Sequence, residues 1–167
     1  NIDKQKMLYN ELKDVVDANL CYSGVIIDNQ TNAVEAFVSS ENNAINIKRQ
    51  AGSLIKPILV YTPAIEHNVV NEYTLINNEQ TDFNGYTPKN ASGVYSKQIS
   101  VKDALSKSVN IPAVKILSYT GIENSKNVAK QFGLNFDESD TSLAIALGGT
   151  TYGENIIDLT NAYTTFA

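Results

Sequence analysis

The chain has 167 residues with 43% hydrophobic and 19% charged side chains, and its formal net charge is −5. This length is sufficient for a substantial core and favours a single domain. The acidic balance argues against nucleic acid as a partner, and the absence of any uninterrupted apolar stretch of 18 residues predicts no membrane span in this chain.

The first predicted element is a helix over residues 4 to 19, where apolar side chains recur at three- and four-residue spacing. Two strand-like runs, residues 24–27 and 33–38, flank turn-forming residues and predict a hairpin. Cys21 lies beside the first run and is expected to be a small buried residue. As the only cysteine, it excludes an internal disulfide and a cysteine-based zinc site.

The most informative stretch is residues 49–57, which read Arg-Gln-Ala-Gly-Ser-Leu-Ile-Lys-Pro. The apolar run that follows predicts a helix from Ser53 to about Glu66, buried on nearly all sides and kinked at Pro63. On such a helix Ser53 and Lys56 share one face, and a neutral lysine can take the proton of a serine hydroxyl. About one Ser-x-x-Lys is expected by chance, so the pattern alone is better explained by a helix-capping Ser53 and a solvated Lys56.

His67, the only histidine, is predicted to lie at the end of the same helix. It follows Ser53 by 14 residues, about four helical turns or roughly 20 Å, which excludes it as the base for that serine. A C-terminal cap is the role expected for it. A single histidine also excludes a histidine-based metal site.

The rest of the chain is predicted to be mostly helical, with a sheet that is underfilled and no internal domain boundary. Residues 77–98 have no period and predict a long surface loop, a kind of segment that is often functional. The remaining predicted elements are a helix opened by the capping box Ser100–Asp103, a helix from Ile111 with Pro112 in its first turn, a helix over Ile122–Phe132 stopped by Gly133, a break at Gly148–Gly149, and a final helix over Ile156–Phe166.

A second candidate motif, Ser108-Val109-Asn110, follows Ser53 by 55 residues and lies between two predicted helices. In that position its side chains can point into a cleft. Ser-x-Asn occurs at two other places in the chain, and the alternative interpretation makes Asn110 the N-cap of the helix that contains Pro112.

In this order, the two motifs resemble the first two signatures of penicillin-binding proteins and serine β-lactamases. The similarity extends over residues 49–57, 85–90, 101–114, 146–149 and 159–167. The flanking residues look most like class A, bifunctional penicillin-binding proteins, whose parent chain also carries a glycosyltransferase domain. The resemblance implies an α+β (α/β mixed) transpeptidase fold, with an antiparallel sheet flanked by helices and incomplete in this chain.

The resemblance also implies the chemistry. The protein would be a D,D-transpeptidase (acyltransferase) in which Ser53 attacks the D-Ala-D-Ala end of a peptidoglycan stem peptide and Lys56 is the base. Ser108 would relay a proton to the leaving group, and Asn110 would hold Lys56 and the substrate amide. The Ser53 N–H would form half of an oxyanion hole, and β-lactams would acylate the same serine. No cofactor or metal is implied, and the domain would be extracytoplasmic, in a parent protein anchored to the cell membrane.

The chain departs from the family at the third motif, because no lysine is followed by Thr-Gly or Ser-Gly. Residues 1–167 are therefore expected to be a partial transpeptidase domain that lacks the C-terminal part with the Lys-Thr/Ser-Gly motif. We expect that a separate C-terminal segment must dock as a partner before the site is competent. A smaller departure is Ala51, which stands where the family usually has proline.

Two alternatives remain open. A serine β-lactamase needs a base that hydrolyses the acyl-enzyme, in class A a glutamate within Glu-x-x-Leu-Asn. Glu123 and Glu154 follow the second motif, but neither has that context. The second alternative is a non-catalytic sensor of β-lactams or muropeptides, which would keep Ser-x-x-Lys.

Overall fold

The computed structural model of the chain describes residues 1–15, 20–41 and 44–167. They fall into two units: a terminal unit of residues 1–49 and 154–167, and a middle unit of residues 50–153. In chain order, the helices and strands are α1 Ile2–Val15, β1 Ser23–Ile27, β2 Val34–Ser39, β3 Lys48–Arg49, α2 Thr62–Glu66, β4 Leu75–Asn78, β5 Ser96–Ser100, α3 Val101–Ser106, α4 Asn110–Thr120, α5 Ile122–Gln131, β6 Glu154–Asn155 and α6 Ile156–Tyr163.

The predicted hairpin is confirmed in the terminal unit. Strands β1 and β2 are antiparallel, with Ser23 opposite Ser39 and Gly24 opposite Val38. Helix α1 begins two residues earlier than predicted, and its predicted end, residues 16–19, lies outside the described residues. Cys21 is exposed rather than buried, because β1 begins two residues after it and the sheet does not cover it.

The predicted helix after Ser53 is present in the middle unit, but it has three parts. A 3-10 turn spans Gly52–Ile55, a π-helical segment spans Lys56–Tyr61, and α2 completes it. In the π segment the N–H of Thr62 donates to the carbonyl of Pro57, five residues back. The helical type changes at Thr62, one residue before the predicted kink at Pro63, which has no N–H to donate.

Burial of this long helix is confirmed for its middle. Ile55, Ile58, Leu59 and Val60 are fully buried, whereas Leu54 and Ile65, near its two ends, are about half exposed. Its last residue is followed by His67, which is the C-terminal cap of α2 as predicted. The helix therefore runs through the core of the middle unit and presents only its two ends to solvent.

The prediction of an unbroken loop over residues 77–98 is wrong at both ends. Strand β4 pairs with β5 in an antiparallel ribbon, with Ile76 opposite Ile99 and a register irregularity before Asn78 opposite Ser96. Both strands are rich in polar residues that bond within the ribbon, so the alternation of hydrophobic and polar side chains that signals a strand is weak. Residues 79–95 connect the two strands.

Helices α3, α4 and α5 begin within one residue of the predicted positions, whereas the predicted final helix is shorter, because α6 ends at Tyr163 and a 3-10 turn spans Thr164–Phe166. Ser100 caps α3 by accepting the N–H of Asp103 at 3.1 Å. Helix α4 begins at Asn110, and most of its side chains are buried. The described strands form three two-stranded sheets, β1–β2, β3–β6 and β4–β5, in agreement with the predicted underfilled sheet. In the part of the chain that the structure describes, no helix combines the length and the hydropathy needed to cross a bilayer.

Replacing a fully buried residue of the π segment tests this account of the core. We expect Ile58→Ala to lower the free energy of unfolding by about 2–5 kcal/mol, because the lost side chain leaves a cavity. The matched control is Ile65→Ala on the same helix, where half of the side chain is already in water, and it should cost less than about 1 kcal/mol. Urea unfolding of both variants measures the difference, and equal losses would contradict the burial described here.

Candidate active site

Lys56 is the centre of the candidate site. Its side chain is 1% exposed, at the start of the π segment. The amine Nζ donates to the Ser108 carbonyl oxygen at 2.7 Å, to Ser108 Oγ at 3.2 Å and to Asn110 Oδ1 at 2.7 Å. The structure therefore brings together three of the four residues predicted for the site, across 54 residues of sequence.

The burial of Lys56 makes its amine easier to deprotonate than that of an ordinary lysine. Burial lowers the pKa of Lys56 from its ordinary value of 10.5 to about 8. All three hydrogen-bond partners are neutral, and no carboxylate among the described residues forms an ion pair with it. Because desolvation penalises only the charged form, a buried lysine without a counter-ion gives up its proton more easily.

Ser53, the fourth predicted residue, lies one 3-10 turn before Lys56. The Lys56 N–H donates to the Ser53 carbonyl, and residues three apart eclipse each other on a 3-10 helix. The side chain is exposed, and its hydroxyl bonds to no described residue. The interpretation of Ser53 as a helix cap is wrong, since the turn begins at Gly52 after an uncapped Ala51. Ala51 has a φ of −68°, the value that a proline would impose, so its departure from the family leaves the turn unchanged.

The turn that carries Ser53 is in backbone contact with a distant glycine. A Cβ placed on Gly148 would lie 2.2 Å from the nitrogen of Gly52, far inside van der Waals contact. The Gln50 side chain holds the same two segments together, because its Oε1 accepts the N–H of Thr150 at 3.0 Å and its Nε2 donates to the Thr150 carbonyl. The sequence predicted only a break in the secondary structure at Gly148. The structure shows why no side chain fits there.

Ser108 and Asn110 occupy the turn between α3 and α4. Ser108 has a φ of +52°, a left-handed conformation that costs a non-glycine residue roughly 1–2 kcal/mol. Asn110 is the first residue of α4, whose N-cap position is Val109, so the interpretation of Asn110 as an N-cap is wrong. Its Nδ2 donates to the carbonyl of Lys89 at 2.8 Å. This contact turns the amide so that Oδ1 faces Lys56.

Sequence reasoning missed the contribution of residues 89–90. Asn90 Oδ1 accepts the N–H groups of Asn110 and Ile111, although Asn90 lies in the connection between β4 and β5. The segment 85–90 resembled the family, but no spacing within it predicted a contact 20 residues further along. The only available signal was a polar residue in a long, aperiodic segment.

A groove of about 700 Å³ adjoins the turn at Val109. It is lined by the β4–β5 ribbon and by α3, through Leu75, Asn78, Val94, Ser96, Ile99, Asp103 and Lys107 among others. No group of three His, Cys, Asp or Glu side chains that could hold a metal is found within the described ranges.

Comparison with known sequences identifies relatives of this chain. A family model described as the penicillin-binding protein transpeptidase domain matches residues 22–162. Penicillin-binding protein 1F of Bacillus subtilis is 36% identical over 98% of this chain, and penicillin-binding protein 2a of Streptococcus pneumoniae is 32% identical over 86%. The chain spans only 24% and 19% of these two relatives.

Solved structures share the fold. The transpeptidase domain of penicillin-binding protein 3 from Burkholderia pseudomallei matches 100% of this chain with a TM-score of 0.80, at 23% identity and over 56% of that chain. PonA1 from Mycobacterium tuberculosis, in complex with penicillin V, matches 98% of this chain with a TM-score of 0.81, at 18% identity and over 47% of its own length. The mixed helix-and-strand fold predicted from the sequence is confirmed.

The contact between the Gly52 turn and Gly148 gives a prediction with a matched control. Gly148 (φ +82°) and Gly133 (φ +87°) are both left-handed, but a Cβ on Gly133 meets no atom within 4 Å. Gly133→Ala should cost only the conformational penalty, roughly 1–2 kcal/mol. Gly148→Ala should cost about 1–3 kcal/mol more, because the new methyl group displaces the Gly52 backbone.

Urea unfolding of the two glycine variants measures this difference. Amide chemical shifts add a local readout, since the signals of Gly52 and Ser53 should move in Gly148→Ala and stay in place in Gly133→Ala. Equal stability losses with unchanged shifts would refute the close approach.

Proposed function

The chain belongs to the family of penicillin-binding protein transpeptidase domains, and from this premise we propose that it carries the nucleophile of a D,D-transpeptidase that cross-links peptidoglycan stem peptides. The observation that carries the proposal is the buried amine of Lys56, which bonds to Ser108 and Asn110 one turn from the exposed Ser53. Nucleophilic catalysis by serine needs a hydroxyl open to substrate and a base on the same face of the helix.

The reaction begins when neutral Lys56 takes the proton of the Ser53 hydroxyl. The Ser53 Oγ then attacks the carbonyl carbon between the two terminal D-alanines, and the Ser53 N–H donates to the developing oxyanion. Collapse of the tetrahedral intermediate breaks the C–N bond. The departing D-alanine takes the proton held by Lys56, and an acyl ester on Ser53 remains.

Ser108 has the properties needed to relay that proton. An ammonium on Lys56 offers three N–H donors to its three partners, whereas the neutral amine offers two donors and one lone pair. The Ser108 carbonyl and Asn110 Oδ1 can only accept, but the Ser108 hydroxyl can either accept or donate. The hydroxyl is therefore able to turn when Lys56 changes its charge and to pass a proton to the leaving nitrogen.

Asn110 has a supporting role towards base and substrate. Its Oδ1 holds the Lys56 amine, and one N–H of its Nδ2 bonds to the Lys89 carbonyl. The second N–H of the same group is available for the carbonyl of a substrate amide. Asn110 thus orients the base and contributes to binding without taking part in proton transfer.

The second half of the reaction transfers the acyl group to an amine of a neighbouring stem peptide. That amine attacks the ester carbon, Ser53 Oγ leaves and recovers a proton, and a new amide cross-link forms. β-Lactams acylate Ser53 by the same first step, with the lactam C–N bond breaking instead of a peptide bond.

The proposal includes the surroundings in which this chain works. Its partners are peptidoglycan stem peptides and β-lactams, in an extracytoplasmic, membrane-anchored protein of class A, bifunctional type. Because the Lys-Thr/Ser-Gly motif is absent from the sequence, the proposal also includes a docked segment that supplies this motif and completes the site.

Mass spectrometry tests the identity of the nucleophile. Intact mass of the full-length protein after penicillin treatment should rise by one penicilloyl group, located on the peptide that contains Ser53, and Ser53→Ala should show no increase. Ser23→Ala is the control, because Ser23 bonds to Ser39 in the hairpin and should leave labelling unchanged. A single burst of nitrocefin hydrolysis is expected, whereas sustained turnover would identify a β-lactamase instead.

The pH dependence of acylation tests the base. Only neutral Lys56 accepts a proton, so the acylation rate should fall tenfold per pH unit below the pKa of about 8 and level off above it. In Lys56→Arg this pH dependence should disappear, and acylation should slow by about 10²- to 10⁴-fold, because a guanidinium stays protonated.

Lys115→Arg is the matched control for the base. Lys115 is also a buried lysine, and burial lowers its pKa, but its amine bonds to Asn77 rather than to the candidate site. In this variant the midpoint of the acylation rate plotted against pH should stay near pH 8. A wild-type midpoint near 10.5, the ordinary lysine value, would contradict the role of Lys56.

A further inference from the structure

We propose that Asn90, in the connection between β4 and β5, is a positioning residue that holds the Lys56–Ser108–Asn110 cluster in its reactive arrangement. The inference rests on the function proposed above and names a residue through which that site is held in place. Asn90 touches none of the reacting atoms. It acts on Lys56 through Asn110.

The start of α4 takes its cap from Asn90. The first N–H groups of a helix have no partner within the helix and need one from outside. The N-cap residue Val109 has no side-chain acceptor. Asn90 supplies it instead, because its Oδ1 accepts the N–H of Asn110 at 3.2 Å and the N–H of Ile111 at 3.1 Å. The start of α4 is therefore capped by a residue 20 positions upstream.

Hydrogen bonds on both sides of the Asn90 amide fix its orientation. Its side chain is buried, with 5% exposed, and its Nδ2 donates to Asn78 Oδ1 and to the Val94 carbonyl, both at 2.8 Å. A flipped amide would place its NH₂ against two N–H donors and its oxygen against two oxygens. The partners of the amide oxygen and of the amide nitrogen therefore fit one orientation only. In that orientation the Asn90 side chain connects the β4–β5 ribbon to α4.

The side chain of Asn110 is oriented by the residue next to Asn90. Lys89, immediately before Asn90, offers its carbonyl to Asn110 Nδ2 at 2.8 Å. With Nδ2 held there, Oδ1 is directed to the Lys56 amine at 2.7 Å. Residues 89 and 90 thus fix both the backbone and the side-chain amide of Asn110, and Asn110 is one of the two residues that bond to the amine of Lys56.

The left-handed backbone at Ser108 is held from both sides of the turn. A left-handed residue persists only where its surroundings over-determine the backbone. On the α3 side, Ser108 N–H donates to the Leu105 carbonyl at 2.9 Å and Val109 N–H to the Ala104 carbonyl at 2.8 Å. On the α4 side, Asn90 provides the anchor. Loss of Asn90 releases one end of the turn and lets Ser108 relax away from the lysine.

The test compares Asn90→Ala with Asn90→Asp in the full-length protein. In Asn90→Ala, acylation by penicillin should slow by about 10- to 100-fold, the cost of a misplaced catalytic group. The midpoint of its pH–rate profile should move up from about 8 towards the ordinary value of 10.5, because water reaches the Lys56 amine. Asn90→Asp keeps an oxygen for the two N–H groups but sets its second oxygen against Asn78 Oδ1 and the Val94 carbonyl, so it should recover only part of the plateau rate.

Hydrogen exchange provides a readout that does not depend on activity. The amides of Asn110 and Ile111 should exchange faster in Asn90→Ala and remain protected in Asn90→Asp. Asn155→Ala is the matched control, since Asn155 also caps a helix, α6, by accepting the Ile157 N–H at 2.8 Å. This control should lose stability but keep the midpoint and the protection of both amides.

The outcomes separate this inference from the proposed function. If Asn90→Ala leaves both the midpoint and the exchange of the two amides unchanged, the positioning role is overturned. If the wild-type protein is not acylated at Ser53, the proposed function fails. In that case the titration of Lys56, followed by ¹⁵N NMR in wild type and Asn90→Ala, still decides whether Asn90 governs the lysine.

Discussion

The burial of one amine, that of Lys56, is the constraint on which the middle unit depends. A lysine held at 1% exposure has to find partners inside the protein, and here all three are neutral oxygens. Those oxygens come from the α3–α4 turn, so the turn must reach the helix that carries the lysine. The left-handed backbone at Ser108 follows from that need. The turn supplies the acceptors that the buried amine requires.

The proposed mechanism makes two opposite demands, since a nucleophile must be open to substrate while its base must be dry. The exposed Ser53 and the buried Lys56 lie on adjacent turns of one helix. The 3-10 turn keeps the two residues on the same face, and the π segment that follows carries Lys56 into the core beside Ile58 and Leu59. Short π segments occur often at functional sites. Here the change of helical type coincides with the boundary between the exposed Ser53 and the buried Lys56.

Much of the fold was predictable because its signals are local. The hairpin, the capping box at Ser100 and the helix starts predicted at Ile111 and Ile122, each within one residue of the observed start, depend on a few consecutive residues. The motifs also singled out Lys56, Ser108 and Asn110 through spacing and order, and the structure brings these three residues together. What sequence could not supply were the contacts whose partners are far apart, such as Asn90 with α4, and the two-residue strands β3 and β6. The polar strands β4 and β5 were missed because their Asn, Ser and Gln side chains hide the alternation that marks a sheet.

The contact between Gly52 and Gly148 has a consequence for how such a site can change over time. Two backbones that touch directly have no rotamers to adjust, and the Gln50 side chain holds the same two segments together. Position 148 therefore admits no residue larger than glycine unless the turn that carries Ser53 moves.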